Sequence, residues 1–266
     1  MEIRKYLVIG NPINHSLSPK LHNHWLKKYN IKAIYDKVKL EKNEIQSFIQ
    51  DIRQQKIIGC NVTVPFKKTV IPFLDKLSFE AEQTQSVNTI TFDKGNLVGH
   101  NTDIVGFKRA IKSLNFIMKG KKILILGAGG VVPSIIFALK EMDVLQINIS
   151  NRTKENAENL KILFNDLKII EWGTLTEFDV IINATSLGLN NEIINLDFSK
   201  VGTKKLFYDV IYNPHETNFL KKGRELGNIP ENGKLMFVYQ ALEAFKLWHR
   251  IEPDINTNLL KLLDND

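Results

Sequence analysis

Two segments far apart in the chain place a lysine and an acid at the ends of predicted strands. Lys67 follows the strand-like residues 59–64 and should lie in the first turn of a helix, and Asp103 follows a predicted hairpin over 88–99. An amine and a carboxylate at strand ends are suited to transferring a proton to or from a bound molecule. On local sequence alone, Lys67 resembles a surface lysine and Asp103 a helix N-cap.

Other polar residues share these strand ends. Asn61, Thr63, Asn88 and Thr89 favour a polar cleft there, because ligands of α/β sheets bind beyond the ends of strands. Nearer the N-terminus, His15-Ser16-Leu17-Ser18-Pro19 precedes a predicted helix, where two hydroxyls and free amides can hold a carboxylate. The alternative is that Ser18 is a plain N-cap, with proline at the first helical position.

A glycine-rich turn follows the apolar strand over 123–126. In Gly127-Ala128-Gly129-Gly130-Val131-Val132, the first glycine permits a tight turn and the second lets the backbone approach a pyrophosphate, next to a helix N-terminus. Val132 replaces the small third residue of the usual pattern, and Pro133 is tolerated early in the helix. A glycine-rich loop without a ligand is the alternative.

The end of the next strand indicates which dinucleotide is bound. An NAD site would place an acid about 20 residues past the glycines, whereas this chain has Asn151 and Arg152, followed by Thr153 and Lys154. A guanidinium can bind a 2′-phosphate through two hydrogen bonds, which favours NADP. Alternatively, Arg152 and Lys154 are surface charges and Thr153 only caps a helix. With the lysine and the acid, the pattern indicates a dinucleotide-dependent oxidoreductase.

Composition narrows the function classes. The 266 residues are 43% hydrophobic, enough for one large or two medium domains. The net charge of +7 is scattered among acids, so we expect no nucleic-acid surface. The longest uncharged run, 123–139, is broken by glycines and is too short to cross a membrane. His22 and His24 face different ways on a helix, and we expect no metal site.

Cysteine content and the first residues bear on location. The single cysteine, Cys60, cannot form an intramolecular disulfide, and residues 1–5 lead into a strand-like segment rather than a secretory apolar region. We therefore expect a cytoplasmic protein.

Hydrophobic periodicity predicts an α/β fold. Strands alternate with helices in the first hundred residues, and after residue 120 the short apolar strands and intervening helices follow the βαβ pattern of a parallel sheet. The predicted strands of this second part are 123–126, 146–150, 169–171, 180–183 and 206–209. Two helices, 236–248 and 256–263, close the chain.

The motifs together resemble those of the shikimate dehydrogenase family, and they run from one end of the chain to the other in family order. They are residues 10–23, 59–67, 87–89, 99–103, 127–130, 151–153, 183–188, 209–214 and 233–236 leading to Gln240. The chain departs from the family pattern at Gln85-Ser86, where Gly-Ala is common, and at Val132-Pro133.

The resemblance implies an activity and an architecture. It implies reversible reduction of 3-dehydroshikimate to shikimate by NADPH, in the shikimate pathway to chorismate and the aromatic amino acids. It also implies two α/β domains flanking a cleft, the second a Rossmann-type doubly wound parallel sheet. The implied ranges are 1–103 for substrate binding and catalysis, 104–232 for NADP, and 233–266 for C-terminal helices that pack back on the first domain.

Residue roles also follow from the resemblance. Lys67 and Asp103 would be the proton-transfer pair, and Ser16 and Ser18 would bind the substrate carboxylate. The other implied substrate-binding residues are Asn61, Thr63, Asn88, Tyr212 and Gln240. The implied cofactor-binding residues are Gly127, Ala128, Gly129, Gly130 and Val131 at the pyrophosphate, Asn151, Arg152, Thr153 and Lys154 at the 2′-phosphate, and Val210 and Gly233 at the nicotinamide.

Three rival functions remain open at this point. A quinate or mixed quinate/shikimate dehydrogenase would share the scaffold, although Ser16, Ser18 and Arg152 favour shikimate and NADP. A non-catalytic NADP-binding regulator would not need Lys67 and Asp103. A nucleic-acid binder would have its basic residues clustered, whereas those of this chain are scattered among acids. We expect a small-molecule substrate, no nucleic-acid or membrane partner, and a monomer or homodimer.

Overall fold

The computed structural model describes residues 3–264 and divides the chain into two compact units. Unit 1 comprises residues up to Gly106 together with Val238 onwards, and unit 2 comprises Phe107–Phe237. Residues 1–2 and 265–266 lie outside the described part. The first two belong to residues 1–5, which bear on the expected location, and the last two belong to the predicted range 233–266. None of the helices over residues 3–264 is long and apolar enough to span a membrane.

The first part of unit 1 contains six strands and the start of a helix that continues into unit 2. Its elements are β1 (Arg4–Gly10), α1 (Ser18–Lys28), β2 (Ala33–Lys39), α2 (Ile45–Arg53), β3 (Gly59–Val62), β4 (Lys76–Leu77), α3 (Phe79–Thr84), β5 (Thr89–Asp93), β6 (Asn96–His100) and α4 (Asp103–Ser113). Short 3-10 helices cover Lys42–Glu44 and Ile71–Phe73.

Unit 2 contains six further strands, and two helices complete the chain. The elements are β7 (Lys122–Leu126), α5 (Val132–Glu141), β8 (Gln146–Ser150), α6 (Lys154–Leu163), β9 (Lys168–Ile170), β10 (Val180–Asn183), β11 (Leu206–Asp209), α7 (Asn218–Glu225), β12 (Ile229–Glu231), α8 (Lys234–His249) and α9 (Thr257–Asp264). Most of α8 and all of α9 belong to unit 1.

The sheet of unit 1 is mixed, with strand order β2-β1-β3-β5-β6-β4. β1 pairs in parallel with β2 and β3, whereas β5 runs antiparallel to β3 and β6. The hairpin between β5 and β6 turns at Lys94-Gly95, both with positive φ, as the sequence predicts. The segment with Lys67 follows β3 and the segment with Asp103 follows β6, so this sheet sets the positions of both residues.

The sheet of unit 2 is parallel throughout, with strand order β12-β11-β10-β7-β8-β9. Counted from β7, this is the 3-2-1-4-5-6 order of a doubly wound dinucleotide-binding fold. The order reverses between β7 and β10, and ligands of such sheets bind beyond the strand ends at that point. The predicted Rossmann-type fold class is therefore confirmed.

Aromatic rings fill one part of the core of unit 1 around a buried histidine. His22 of α1 is 1% exposed, stacks on Tyr35 of β2 and contacts Trp25 and Trp248. Burial, with a smaller contribution from His249, lowers the pKa of His22 from 6.5 to about 3. The imidazole is therefore neutral in the folded protein near neutral pH.

We expect this histidine to make unit 1 acid-labile. Below pH 6.5 the unfolded chain binds more protons at this position than the folded chain, so the free energy of unfolding falls as pH falls. From pH 7 to pH 5, the free energy of unfolding should fall by about 2 kcal/mol less in the His22→Phe variant than in the wild type. This follows from about 1.36 kcal/mol per pH unit below the pKa of the unfolded chain. Urea unfolding at both pH values measures this, with the exposed His215→Phe as control. Equal losses in His22→Phe and the wild type would contradict it.

Candidate active site

Lys67 and Asp103 form a buried ion pair in unit 1. The Lys67 Nζ lies 2.5 Å from the Asp103 Oδ2, and the two residues are only 8% and 6% exposed. Away from water, their mutual attraction is stronger than that of a surface pair. The neighbouring Lys68 is exposed. The structure thus brings together the two residues whose chemistry the sequence singled out.

The local backbone around this pair differs from the sequence-based expectation. Lys67 lies in a series of turns after β3 rather than in the first turn of a helix. Its carbonyl accepts a hydrogen bond from the Val87 N–H at 2.9 Å, which fixes the turn beside the segment that enters β5. Asp103 is the first residue of α4, not its N-cap, and its carboxylate is used by side chains.

Asn88 holds the acid of the pair. Its Nδ2 donates to the Asp103 Oδ1 and to the Thr102 Oγ1, both at 2.9 Å, while its Oδ1 accepts from the Thr102 N–H at 2.8 Å. The same Nδ2 lies 3.4 Å from the Oε1 of Gln240 on α8. Three residues predicted to be at the site, Asn88, Asp103 and Gln240, therefore belong to one hydrogen-bonded group.

Asn61 at the end of β3 extends this group. Its Nδ2 donates to the Asn88 carbonyl at 3.1 Å and to the Thr89 Oγ1 at 3.0 Å, and its Oδ1 accepts from the Tyr35 hydroxyl at 2.6 Å. Thr63 follows on the same segment, half-buried, with its N–H bonded to the carbonyl of Ile9. Tyr35 is a residue that the sequence reasoning missed, because a tyrosine in a predicted strand gives no signal beyond core packing.

The serines lie where the sequence places them, although their capping roles differ. The N-cap of α1 is Leu17, so Ser18 is the first helical residue rather than the cap. The Ser16 Oγ accepts from the Ser18 N–H at 3.3 Å. Ser18 is buried and Ser16 is half-buried. The helix start thus presents two hydroxyls close together, as carboxylate binding requires.

The glycine turn of unit 2 has the geometry of a dinucleotide cradle. Gly127 has φ +106°, and a Cβ there would lie 2.7 Å from the carbonyl oxygen of Ala184, which follows β10. A Cβ on Gly129 would instead enter open space, with only the Ala184 oxygen near, at 3.9 Å. Gly127 is thus needed for the turn itself, whereas the missing side chain of Gly129 leaves the space next to the turn open. Val132 is fully buried at the start of α5, with Pro133 tolerated in the first turn.

The segment after β8 contains the four residues, 151–154, that the sequence assigns to the far end of such a ligand. Asn151 is half-buried, and its Nδ2 donates to the Thr153 carbonyl at 2.7 Å. Thr153 is the N-cap of α6 but makes no side-chain capping bond. Arg152 is exposed, and within residues 3–264 its guanidinium has no hydrogen bond or ion pair, whereas Lys154 pairs with Glu158 at 3.4 Å.

A buried carboxyl fixes the ends of β10 and β11. Asp209 accepts from the Asn183 Nδ2 at 3.1 Å, from the Ile211 N–H at 3.0 Å and from the Thr217 Oγ1 at 2.6 Å. Burial raises the pKa of Asp209 to about 6, against the opposing effect of these hydrogen bonds. The sequence reasoning gave Asp209 and Asn183 no role, because a buried network between two strand ends leaves no local pattern.

Val210 and Gly233 lie beside this network. A Cβ on Gly233 would come within 2.1 Å of the Val210 carbonyl oxygen, so only glycine permits this close approach of two backbone segments. Tyr212 also belongs to unit 2, where its ring stacks on Phe237 with centroids 4.7 Å apart. No group of three or more His, Cys, Asp or Glu side chains in the described part of the chain could hold a metal ion.

Comparison with known proteins gives concordant matches along the chain. The family model described as the shikimate dehydrogenase substrate binding domain matches residues 8–90, and the one described as shikimate/quinate 5-dehydrogenase matches residues 109–210. A curated relative from Pelagibacter ubique (strain HTCC1062), named shikimate dehydrogenase (NADP(+)), is 55% identical over 98% of this chain and 99% of its own.

Solved structures agree with these matches. Shikimate dehydrogenase from Aquifex aeolicus has a TM-score of 0.90 at 34% identity, covering 99% of this chain and 98% of the other. A shikimate dehydrogenase in complex with NADP+ has a TM-score of 0.90 at 31% identity, covering 98% and 95%. Since sequence and structure agree over nearly the whole length, the chain belongs to the shikimate dehydrogenase family.

Proposed function

We propose that this chain catalyses the reversible, NADPH-dependent reduction of 3-dehydroshikimate to shikimate, a step of the shikimate pathway towards chorismate and the aromatic amino acids. The observation that carries the proposal is the buried pair of Lys67 and Asp103, held by Asn88, in a chain whose curated relatives are NADP-dependent shikimate dehydrogenases. A regulator that only binds NADP would have no use for this pair.

Lys67 acts as the general acid in the reductive direction. Its ammonium donates a proton to the ketone oxygen of the substrate, and its amine takes the proton back when shikimate is oxidised. Asp103 accepts a hydrogen bond from the ammonium and fixes its direction, since Asn88 holds the other carboxylate oxygen at 2.9 Å. Proton transfer from a positioned group contributes about 10²- to 10⁴-fold to a rate.

Separate sets of side chains bind the carboxylate and the ring hydroxyls of the substrate. Ser16 and Ser18 bind the carboxylate at the start of α1, where hydroxyls and helix amides both donate. Asn61, Thr63, Asn88, Tyr212 and Gln240 position the ring and its hydroxyls. The hydrogen bonds among Asn61, Asn88 and Asp103 support this assignment, because they fix the side chains before a ligand arrives.

The glycine turn of unit 2 fits the pyrophosphate of NADP. Gly127, Ala128, Gly129, Gly130 and Val131 would hold it, and the open space over Gly129 supports this assignment. Val210 and Gly233 would hold the nicotinamide end, and Asn151, Arg152, Thr153 and Lys154 the 2′-phosphate. When bound, the cofactor supplies a hydride to the substrate or receives one from it.

The domain roles follow from these assignments. Residues 1–103 would bind substrate and carry the proton-transfer pair, residues 104–232 would bind NADP, and residues 233–266 would be helices packed on the first domain. The inclusion of Val238 onwards in unit 1 supports the last assignment. A cytoplasmic location and the choice between monomer and homodimer stay predictions from the sequence.

The assay that tests the proposed function follows NADPH absorbance at 340 nm after addition of 3-dehydroshikimate. We expect consumption that depends on both compounds. Parallel assays of shikimate and quinate oxidation with NADP and NAD separate the quinate dehydrogenase alternative, which would favour quinate. NADPH binding without turnover of either acid would favour a regulator and contradict the proposal.

Replacing Lys67 should abolish most of the turnover. Lys67→Met removes the proton donor, so we expect kcat to fall by about 10²- to 10⁴-fold, with NADPH affinity unchanged. Loss of one partner of a buried pair destabilises a protein by about 3–5 kcal/mol, so circular dichroism must confirm that the variant is folded. Lys68→Met, at the exposed neighbour, is the matched control. A folded Lys67→Met enzyme with the wild-type rate would refute the role of Lys67.

Replacing Arg152 should affect one cofactor and not the other. Arg152→Gln removes a charge-assisted contact with the 2′-phosphate, so the KM for NADPH should rise by about 10- to 100-fold. The KM for NADH should stay the same, because NADH has no phosphate there. Arg224→Gln, at an exposed arginine bonded to Glu216, is the control. Equal changes for NADPH and NADH would count against the assignment.

A further inference from the structure

Tyr35 connects two of the proposed substrate-binding residues. It lies on the edge strand β2 and is 3% exposed. Its hydroxyl lies 2.6 Å from the Asn61 Oδ1, and the Ser18 hydroxyl also hydrogen-bonds the phenol. Ser18 starts α1 and Asn61 lies near the end of β3, so one phenol oxygen joins two elements that do not adjoin in sequence.

The start of α1 fixes Tyr35 in two further ways. The ring of His22 stacks on the Tyr35 ring, with centroids 4.2 Å apart and planes 3° apart. Asn23 covers the outward backbone of the edge strand, because its Nδ2 donates to the Tyr35 carbonyl at 2.7 Å and its Oδ1 accepts from the Tyr35 N–H at 2.9 Å. His22 and Asn23, the last residues of the N-terminal motif, therefore hold this tyrosine in place.

The direction of each hydrogen follows from the acceptors around Asn61. A carbonyl oxygen can only accept, so the amide nitrogen of Asn61 must face the Asn88 carbonyl and its oxygen must face Tyr35. The single phenol hydrogen is therefore donated to Asn61. Since that hydrogen is committed, the Tyr35 oxygen can only accept from the Ser18 hydroxyl, which must turn its hydrogen away from Tyr35 to donate it to a bound carboxylate.

We propose that Tyr35 is a positioning residue for substrate binding, whose hydroxyl sets the hydrogen-bonding direction of Asn61; this rests on the proposed function. Both amide hydrogens of Asn61 are used inside the protein, by Asn88 and Thr89. Asn61 can therefore only accept from a ligand, through the second lone pair of its Oδ1. The position beside Asn61 thus takes a ring hydroxyl as donor and rejects a carboxylate.

Tyr35→Phe removes the hydroxyl and keeps the ring stacked on His22. Without a donor to its oxygen, Asn61 is no longer held, so we expect the KM for 3-dehydroshikimate to rise by about 10-fold, the equivalent of one hydrogen bond. The kcat should change less than threefold, because Tyr35 does not contact Lys67 or Asp103, and the KM for NADPH should not change. Tyr208→Phe is the matched control, as Tyr208 is also buried but its hydroxyl has no hydrogen-bond partner among residues 3–264.

A double-mutant cycle separates positioning from a merely structural role. If Tyr35 acts through Asn61, then Tyr35→Phe combined with Asn61→Ala should raise the KM no more than twofold beyond Asn61→Ala alone. Multiplied effects, or a Tyr35→Phe variant with lowered melting temperature and unchanged KM, would overturn the proposal. A wild-type chain without turnover would overturn the proposed function as well, whereas an active wild type with an unaffected Tyr35→Phe variant would overturn only the role of Tyr35.

Discussion

An ammonium and a carboxylate lie 2.5 Å apart in a part of unit 1 from which water is almost excluded, and the surrounding structure serves to hold them there. Burying two charges carries a large desolvation cost, which their attraction offsets only when the geometry is good and the other lone pairs are satisfied. Asn88 satisfies the second oxygen of Asp103, and the turn containing Lys67 is tied to Val87. A pair kept at such cost is better explained by chemistry than by stability.

The rest of the site depends on hydrogen bonds that are already made before any ligand binds. A continuous chain of contacts runs from Ser18 through Tyr35, Asn61 and Asn88 to Asp103. Side chains fixed in this way lose little conformational freedom on binding, so more of the interaction energy remains available for affinity. In unit 2 the buried Asp209 plays a comparable part, because it secures the strand ends next to Val210.

Secondary-structure elements that depend on local sequence patterns were predicted correctly from the sequence. Elements whose conformation depends on residues distant in the sequence were not. The strands 146–150, 180–183 and 206–209 were predicted with their observed bounds, because short segments rich in apolar residues alternate there with helical ones. β12 was missed because it contains Pro230, which only an edge strand tolerates. The helix expected at Lys67 is a series of turns, and Gln85 ends α3 at φ +46°, where Gly is common in the family.

Site residues could be predicted when they belong to a sequence motif. They could not be predicted when only the tertiary fold brings them to the site. Lys67 and Asp103 are 36 positions apart, so only the sheet reveals their contact, and Tyr35 had no motif at all. The central claim is that Lys67, held in direction by Asp103, exchanges a proton with the reacting oxygen of the substrate. A crystal structure of the protein with shikimate tests this most directly. The account predicts the Lys67 Nζ within about 2.6–3.2 Å of the reacting hydroxyl; a reacting hydroxyl bound by other donors, with Lys67 out of reach, would contradict it.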